Sequence, residues 1–252
     1  MTPRIGPRIA LAGVLLLVVA LTGCKSDTPK AVATPVVFKV TPLDALKSYR
    51  FDSDVFVSSE ALDPQMAATL LQGGTFRVKA SGTRVNPDSQ QSKLDADLGF
   101  FKVNIETINI GKEQWSKEPG GAWQKGIGGP AALLATSDFS PQGLISGMTG
   151  REAEQLTQRL EGRAFTKDTS GGVAARHYVF DRKGFEEVFG TQSAVPESAA
   201  DVQTQADVWF AEERGVLLRV LITGKNAQQK EVLKVDVHVG DIDAGIEIKA
   251  PI

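Results

Sequence analysis

Cysteine and histidine are scarce in this sequence. Cys24 is the one cysteine among 252 residues, so the chain cannot form an intramolecular disulfide and must fold on its hydrophobic core. The two histidines, His177 and His238, each lie in a strand-like run without a second metal ligand at useful spacing. We interpret both as ordinary strand residues, and we expect no metal and no cofactor.

Catalytic motifs are also missing. No G-x-S-x-G elbow is present, and the Gly-rich turn at residues 126–129 lacks the Lys-Ser/Thr of a P-loop, so we interpret it as a hinge. The aspartates at 52–54 and 241–243 hint at calcium. Neither pair has the spacing of an EF-hand, and solvated carboxylates explain both. The sequence therefore predicts that the protein is not an enzyme.

Long apolar runs are absent after the N-terminus, since no later stretch approaches the roughly 18 residues of a membrane helix. At the N-terminus, Arg4 and Arg8 precede an apolar stretch at residues 9–21. This stretch is shorter than a bilayer span of about 20 residues but fits the core of a secretory signal. The signal ends in "LTGC", which resembles the bacterial lipobox and places its cysteine at Cys24.

The lipobox implies that the signal is cut before Cys24, whose thiol receives a diacylglyceryl group and whose new amine is acylated. Two or more acyl chains anchor a protein stably to a membrane. We therefore expect a lipid-anchored protein on the extracytoplasmic side of the cell membrane. The alternative is an uncleaved signal anchor with an incidental cysteine. The expected organisation is a signal peptide at 1–23, a lipidated cysteine and tether at 24–40, and one domain at 41–252.

Acidic residues slightly outnumber basic ones in this sequence. The chain has 28 Lys and Arg against 30 Asp and Glu, and loss of Arg4 and Arg8 with the signal leaves 26 against 30, a net charge of −4. A mildly acidic domain argues against nucleic acid as a partner.

Period-two alternation predicts about ten short, mostly antiparallel strands. In "YRFDSDVFV", Tyr49, Phe51, Val55 and Val57 share one face, and a last strand is expected at "IEIK", residues 246–249. Short helices are predicted at 42–48, with Thr41 as N-cap, and at 64–72, 131–135, 142–148, 151–161 and 183–190. The pattern predicts an α+β fold, a strongly curved antiparallel sheet with short helices packed on its concave face.

The stretch "EQWSKEPGGAWQK" predicts a hairpin that turns near Pro119 and pairs Trp115 with Trp123 across the strands. We interpret the two indoles as an aromatic pair that covers the sheet. The alternative is a platform on which a ligand stacks.

The order of these features resembles a known family. A lipobox, a tether, the "YRFDSDVFV" strand, the "W…PGG.W" hairpin, short apolar helices and a late "VWFAEERGVLLRVLITG" hairpin are similar to the LppX/LprG group of bacterial lipoproteins. More distantly, they are similar to the LolA/LolB lipoprotein carriers. The resemblance runs over most of residues 43–250. It departs at residues 64–72, a helix inserted between the first two strands, and at the 126–129 turn.

The resemblance implies a half-open β-barrel with an apolar cavity lidded by helices, which binds a lipid or an acylated molecule and moves it across the envelope. The cavity residues it implies here are Leu133, Leu134, Phe139, Leu144, Ile145 and Met148. The expected partners are that lipid, the membrane through acylated Cys24, and an envelope transport protein. An anchored interaction or sensor module without lipid is the alternative function, and a hydrolase of envelope polymers is the least favoured.

Overall fold

One antiparallel sheet organises the part of the chain that the computed structural model describes, residues 38–62, 74–97, 99, 102–126, 139–145, 150–190 and 202–251. The strands are β1 (Ser48–Ser58), β2 (Thr75–Val85), β3 (Ser89–Asp97), β4 (Lys102–Ile110), β5 (Glu113–Lys117), β6 (Gln124–Lys125), β7 (Thr166–Ser170), β8 (Val173–Asp181), β9 (Gln203–Ala211), β10 (Leu217–Lys225) and β11 (Glu231–Gly240). The helices are α1 (Pro141–Leu144), α2 (Gly150–Leu160) and α3 (Arg182–Phe189), with 3-10 turns at Leu43–Ala45 and Ser59–Ala61.

The sheet is open, and its strand order is β6-β5-β4-β3-β2-β1-β11-β10-β9-β8-β7. The first strand, β1, lies at the centre and pairs with both β2 and the last strand, β11. A mostly antiparallel sheet with a few short helices is thereby confirmed, with eleven strands among the described residues where about ten were expected. The closer description as a half-open barrel stays a prediction. Residues 64–72 and 131–135 lie outside the described part, so the helices expected there also stay predictions.

Alternation gives the sheet two faces. In β1, Tyr49, Phe51 and Val55 are buried, whereas Arg50 and Asp52 are exposed, as the period-two pattern predicts. Because cross-strand partners share a face, the register carries this division from strand to strand. We call the side that bears Phe51 and Val55 the core face and the other the opposite face. The core face contributes most of the main hydrophobic core, including Val78, Leu94, Ile105, Val208, Val220, Val235 and Val237.

Two amphipathic helices cover one end of the core face. Helix α2 buries Ala153, Leu156 and Leu160, the stripe that its sequence predicts. Asp181 is the N-cap of helix α3, and its carboxylate accepts a hydrogen bond from the Gly184 amide. The helix contacts β8 and β9. Full burial of a leucine-sized side chain contributes about 1.5–3 kcal/mol, so packing rather than helix propensity holds these elements in place.

The segment that enters the domain is clamped between α2 and the β9–β10 turn. The Val40 amide donates to the Thr157 hydroxyl, and Thr41 donates from its amide to Gly215 and from its hydroxyl to Arg214. Gly215 has a φ of 61°, and a Cβ there would overlap the Lys39 carbonyl, so glycine permits this close approach. The prediction of Thr41 as an N-cap was wrong, because these contacts occupy it and Pro42 takes the cap position.

The prediction of a strand at 246–249 was also wrong. Strand β11 ends at Gly240, and residues 244–251 do not pair with any strand. Asp241 and Asp243 have φ values of 46° and 59°, which turn the chain away from the sheet. The Asp243 carboxylate fixes this bend by accepting a hydrogen bond from the Lys47 amide, 2.7 Å away. Alternating apolar residues after such a bend cannot join the edge of the sheet.

Ion pairs cross the opposite face of the central strands. The Arg77 guanidinium binds both carboxylate oxygens of Asp54, at 3.0 and 2.7 Å, and Arg219 binds both oxygens of Asp236, at 3.0 Å each. Lys234 lies between the two carboxylates, 3.9 Å from Asp54 and 3.5 Å from Asp236. The hydrogen bond from Arg77 holds the pKa of Asp54 below its usual range.

Replacing Asp54 by asparagine should therefore weaken the fold in a pH-dependent way. Because the folded pKa lies below the ordinary value of 3.8, the charge stabilises the fold above that value and ceases to do so as the pH falls through the folded pKa. For a partly exposed pair we expect D54N to lower the free energy of unfolding by up to about 1 kcal/mol at pH 7. Urea titrations from pH 7 to pH 2 measure this difference, which should vanish at the acid end. D52N, on the same strand and face, is the control, and an equal loss in both variants would contradict the assignment.

Candidate functional site: the core face and its cover

Three of the predicted cavity residues lie together on the core face. The Phe139 ring lies 6.5 Å from that of Phe76 on β2, and helix α1 contacts β11. Ile145 is 2% exposed, while Phe139 and Leu144 are partly buried against the same core. Leu133, Leu134, Met148 and Cys24 lie outside the described residues. That these side chains enclose a cavity therefore stays a prediction.

Polar groups are few on the core face near α1. The Ser53 side chain lies between Val237 and Ala80, and its hydroxyl is buried without a hydrogen-bond partner among the described residues. Towards β5, the Ser92 and Thr107 hydroxyls bond to each other at 2.8 Å. At the end of the face away from Phe76, Arg84 of β2 and Gln90 of β3 also lie on the core face, and Arg84 donates a hydrogen bond to Gln90. The remaining core-face residues of β1 and β11 are aliphatic or aromatic. Such a surface favours apolar contacts over hydrogen-bonded ones.

The cover formed by α1 is a single helical turn. Pro141 opens it at the first position, as the sequence predicts, and three backbone hydrogen bonds hold it, donated by Gly143, Leu144 and Ile145. A helix this short has no stability of its own in water, so its position depends on the contacts of Ile145 and its neighbours with the sheet. A cover of this kind can detach from the core face without unfolding the strands beneath it.

An arginine contacts two aromatic rings where the core face meets the entering segment. The Arg176 guanidinium carbon is 4.4 Å from the Phe38 ring centre and 4.6 Å from that of Phe165. We call Phe38, Arg176 and Phe165 the aromatic clasp. The Phe165 and Tyr178 rings are 5.7 Å apart, and burial raises the pKa of Tyr178 while the Arg176 guanidinium opposes that shift. Sequence reasoning missed this cluster, because both alternating sets of residues in this strand mix apolar with polar side chains and neither is marked as the core face.

The predicted hairpin is present, but its two indoles are not partners. Trp115 on β5 pairs with Lys125 on β6, two residues beyond the expected Trp123. Lys125 lies over the Trp115 ring at 6.0 Å, and Lys117 lies over the Trp123 ring at 5.6 Å. The prediction that Trp115 pairs with Trp123 was therefore wrong in register. The loop before β6 is longer than a tight turn, and each indole packs under a lysine instead.

Both histidines lie on the opposite face. The His177 ring stacks on Trp209 at 4.2 Å and bonds to Asp207 at 2.8 Å, while His238 lies 3.1 Å from Asp236. Within the described residues, no three potential ligands cluster closely enough to hold a metal ion. Three surface grooves in this part of the chain have volumes of about 440, 850 and 440 Å³, and none of the three is lined by Phe139, Leu144 or Ile145.

Comparison with known proteins does not assign this chain to a family. The sequence matches no protein-family model, and no curated protein matches it. A crystal structure described as an outer membrane lipoprotein-sorting protein domain from Vibrio parahaemolyticus is 12% identical, over 79% of this chain and 86% of that chain, with a TM-score of 0.22. At these values the likeness carries no conclusion about this chain. None of the described helices has the length and apolar character that a membrane span requires.

Hydrogen exchange should separate the cover from the sheet. We expect the amides of Gly143, Leu144 and Ile145 to exchange at least about 100-fold faster than those of residues 235–237 in β11, because one turn opens locally whereas a central strand opens only with the fold. Exchange monitored by mass spectrometry under native conditions measures both. Equal protection in the two segments would show that α1 is an integral part of the core.

Proposed function

We propose that this chain is a non-catalytic, membrane-anchored envelope lipoprotein that binds a lipid or acylated molecule on its core face and carries or presents it. The observation that supports this most is the pairing of a largely apolar sheet face with a one-turn cover, seen in the packing of Phe139, Leu144 and Ile145. The lipobox around Cys24 and the sequence resemblance to LppX/LprG lipoproteins support the location and the class of ligand.

The physical chemistry of acyl chains suits this surface. Each methylene removed from water contributes about 0.8 kcal/mol, so a carrier needs a dry face with few unpaired polar groups. It also needs a cover that opens, since a sealed interior cannot load or release a chain. The aliphatic core face and the short α1 meet these two requirements in one place.

The anchor can be tested separately from the cargo. In the intact chain expressed in a bacterium that processes lipoproteins, mass spectrometry should find residues 1–23 removed and acyl groups on Cys24. We expect C24A to retain residues 1–23 and to lack the acyl mass, because alanine offers no thiol to the lipid donor. S26A, two residues away, should behave as the wild type. Normal processing of C24A would refute the lipobox.

The cargo is tested by native mass spectrometry and organic extraction of the full chain purified from membranes. We expect a stoichiometric acyl species to accompany the wild type. L144W should reduce its amount several-fold, because an indole at this partly buried position occupies space against the core face.

V179W provides the matched control for this experiment. Val179 is 55% exposed and lies on the opposite face, so an added indole there should leave the bound species unchanged. A wild-type protein that stays free of lipid after incubation with envelope lipids would contradict the proposal. The same empty protein would favour the interaction or sensor module.

A further inference from the structure

We propose that Arg176 binds the oxyanion headgroup of the acylated ligand, so that the aromatic clasp is a headgroup site at the rim of the apolar core face. The ligand class is then an acyl chain that bears a phosphate or carboxylate group. This inference rests on the proposed lipid-binding function and adds to it the charge of the cargo.

Arg176 is an arginine without a carboxylate partner among the described residues. Among the arginines whose side chains the structure describes, it alone has no carboxylate, carbonyl or amide oxygen within bonding distance. Its Nε is buried and finds no acceptor. The Tyr178 hydroxyl interacts with the guanidinium but carries no charge. Because a buried donor without an acceptor destabilises the fold, an oxyanion would supply both the acceptor for Nε and the compensating charge.

The clasp also limits how Arg176 can bind. The guanidinium carbon lies 4.4 and 4.6 Å from the ring centres of Phe38 and Phe165, so aromatic carbon covers part of the guanidinium and its N–H groups remain the points at which acceptors can bind. The donors of arginine form a planar fork that matches phosphate and carboxylate oxygens. Phe165 is 39% exposed, which leaves this edge of the clasp accessible from solvent.

The position along β8 links the charge to the apolar interior. Arg176, Tyr178 and Phe180 follow each other on the core face, opposite Phe210, Val208 and Ala206 of β9. Tyr178 is 1% exposed and Phe180 is 6% exposed. The face thus changes over three alternate residues from a cation to an aromatic lining, which is the order of headgroup and chain in an amphiphile.

The cations paired with Arg176 on β7 and preceding Phe165 are themselves held in ion pairs. Lys167, its partner on β7, is 3.0 Å from the Glu212 carboxylate. Arg163, which precedes Phe165, is 3.0 Å from Glu187. Both of these positive charges are already compensated, whereas the charge of Arg176 is not.

The test compares two single-chain lipids that differ in their headgroup. The full chain in non-ionic detergent is incubated with equal amounts of 1-oleoyl lysophosphatidic acid and the neutral 1-monooleoylglycerol, and native mass spectrometry measures the ratio of the two adducts. We expect the phosphate-bearing lipid to be preferred about tenfold in the wild type, as for a charge-assisted hydrogen bond. R176M should bring the ratio close to one, and R176K should keep a reduced preference. R50M, which removes an exposed arginine from the opposite face, should preserve the wild-type ratio.

The remaining outcomes overturn the inference in distinguishable ways. Equal binding of both lipids by the wild type would remove the headgroup site and leave the proposed function intact. Equal loss of both adducts in R176M would show that the clasp only supports the fold. Adducts of inorganic phosphate that depend on Arg176, without a preference between the lipids, would assign a site for the free anion. Absence of both lipids from the wild type would contradict the proposed function itself.

Discussion

The pairing of β1 with both β2 and β11 is the constraint on which the rest of this structure depends. It joins a meander of β1–β6 to a second meander of β7–β11, so that the first and last strands of the domain lie side by side. Without it, each meander would expose an unpaired edge and half of an apolar face. With it, the core face runs without interruption from β4 to β8. Most of the chain separates β1 from β11, so bringing these strands together costs loop-closure entropy. Burial of residues such as Phe51, Val55, Val235 and Val237 must offset that cost.

Local patterns predicted most of the elements and failed where distant contacts decide. Alternation identified the faces of β1 and β11, and the spacing of Leu156 and Leu160 identified α2, because burial imposes these periods on any sheet or helix. The Trp115–Trp123 pair failed because register depends on how the loop closes, which the two indoles do not encode. The strand at 246–249 failed because its hydrophobic spacing is compatible with pairing but the bend at Asp241–Asp243 directs the chain elsewhere.

The candidate site likewise contains residues that local patterns predict and a residue whose role depends on distant contacts. Leu144 and Ile145 were predictable from their apolar character after a helix-starting proline. The role of Arg176 was not, because both alternating sets in "ARHYVFD" mix apolar with polar residues. One set holds Ala175, His177 and Val179, and the other holds Arg176, Tyr178 and Phe180. Only the pairing of Tyr178 with buried Val208 reveals which set faces the core.

The contrast between the two faces bears on what the core face is for. On the opposite face, charges are satisfied within the sheet, as Asp54 is by Arg77 and Asp236 by Arg219. On the core face, the described residues leave the Arg176 guanidinium without such a partner. A fold selected for stability alone gains nothing from a half-buried, uncompensated cation, since an apolar side chain of similar volume would pack there without the desolvation cost. Its place beside aromatic rings, at the end of an apolar surface, is understandable when an anionic amphiphile completes the arrangement.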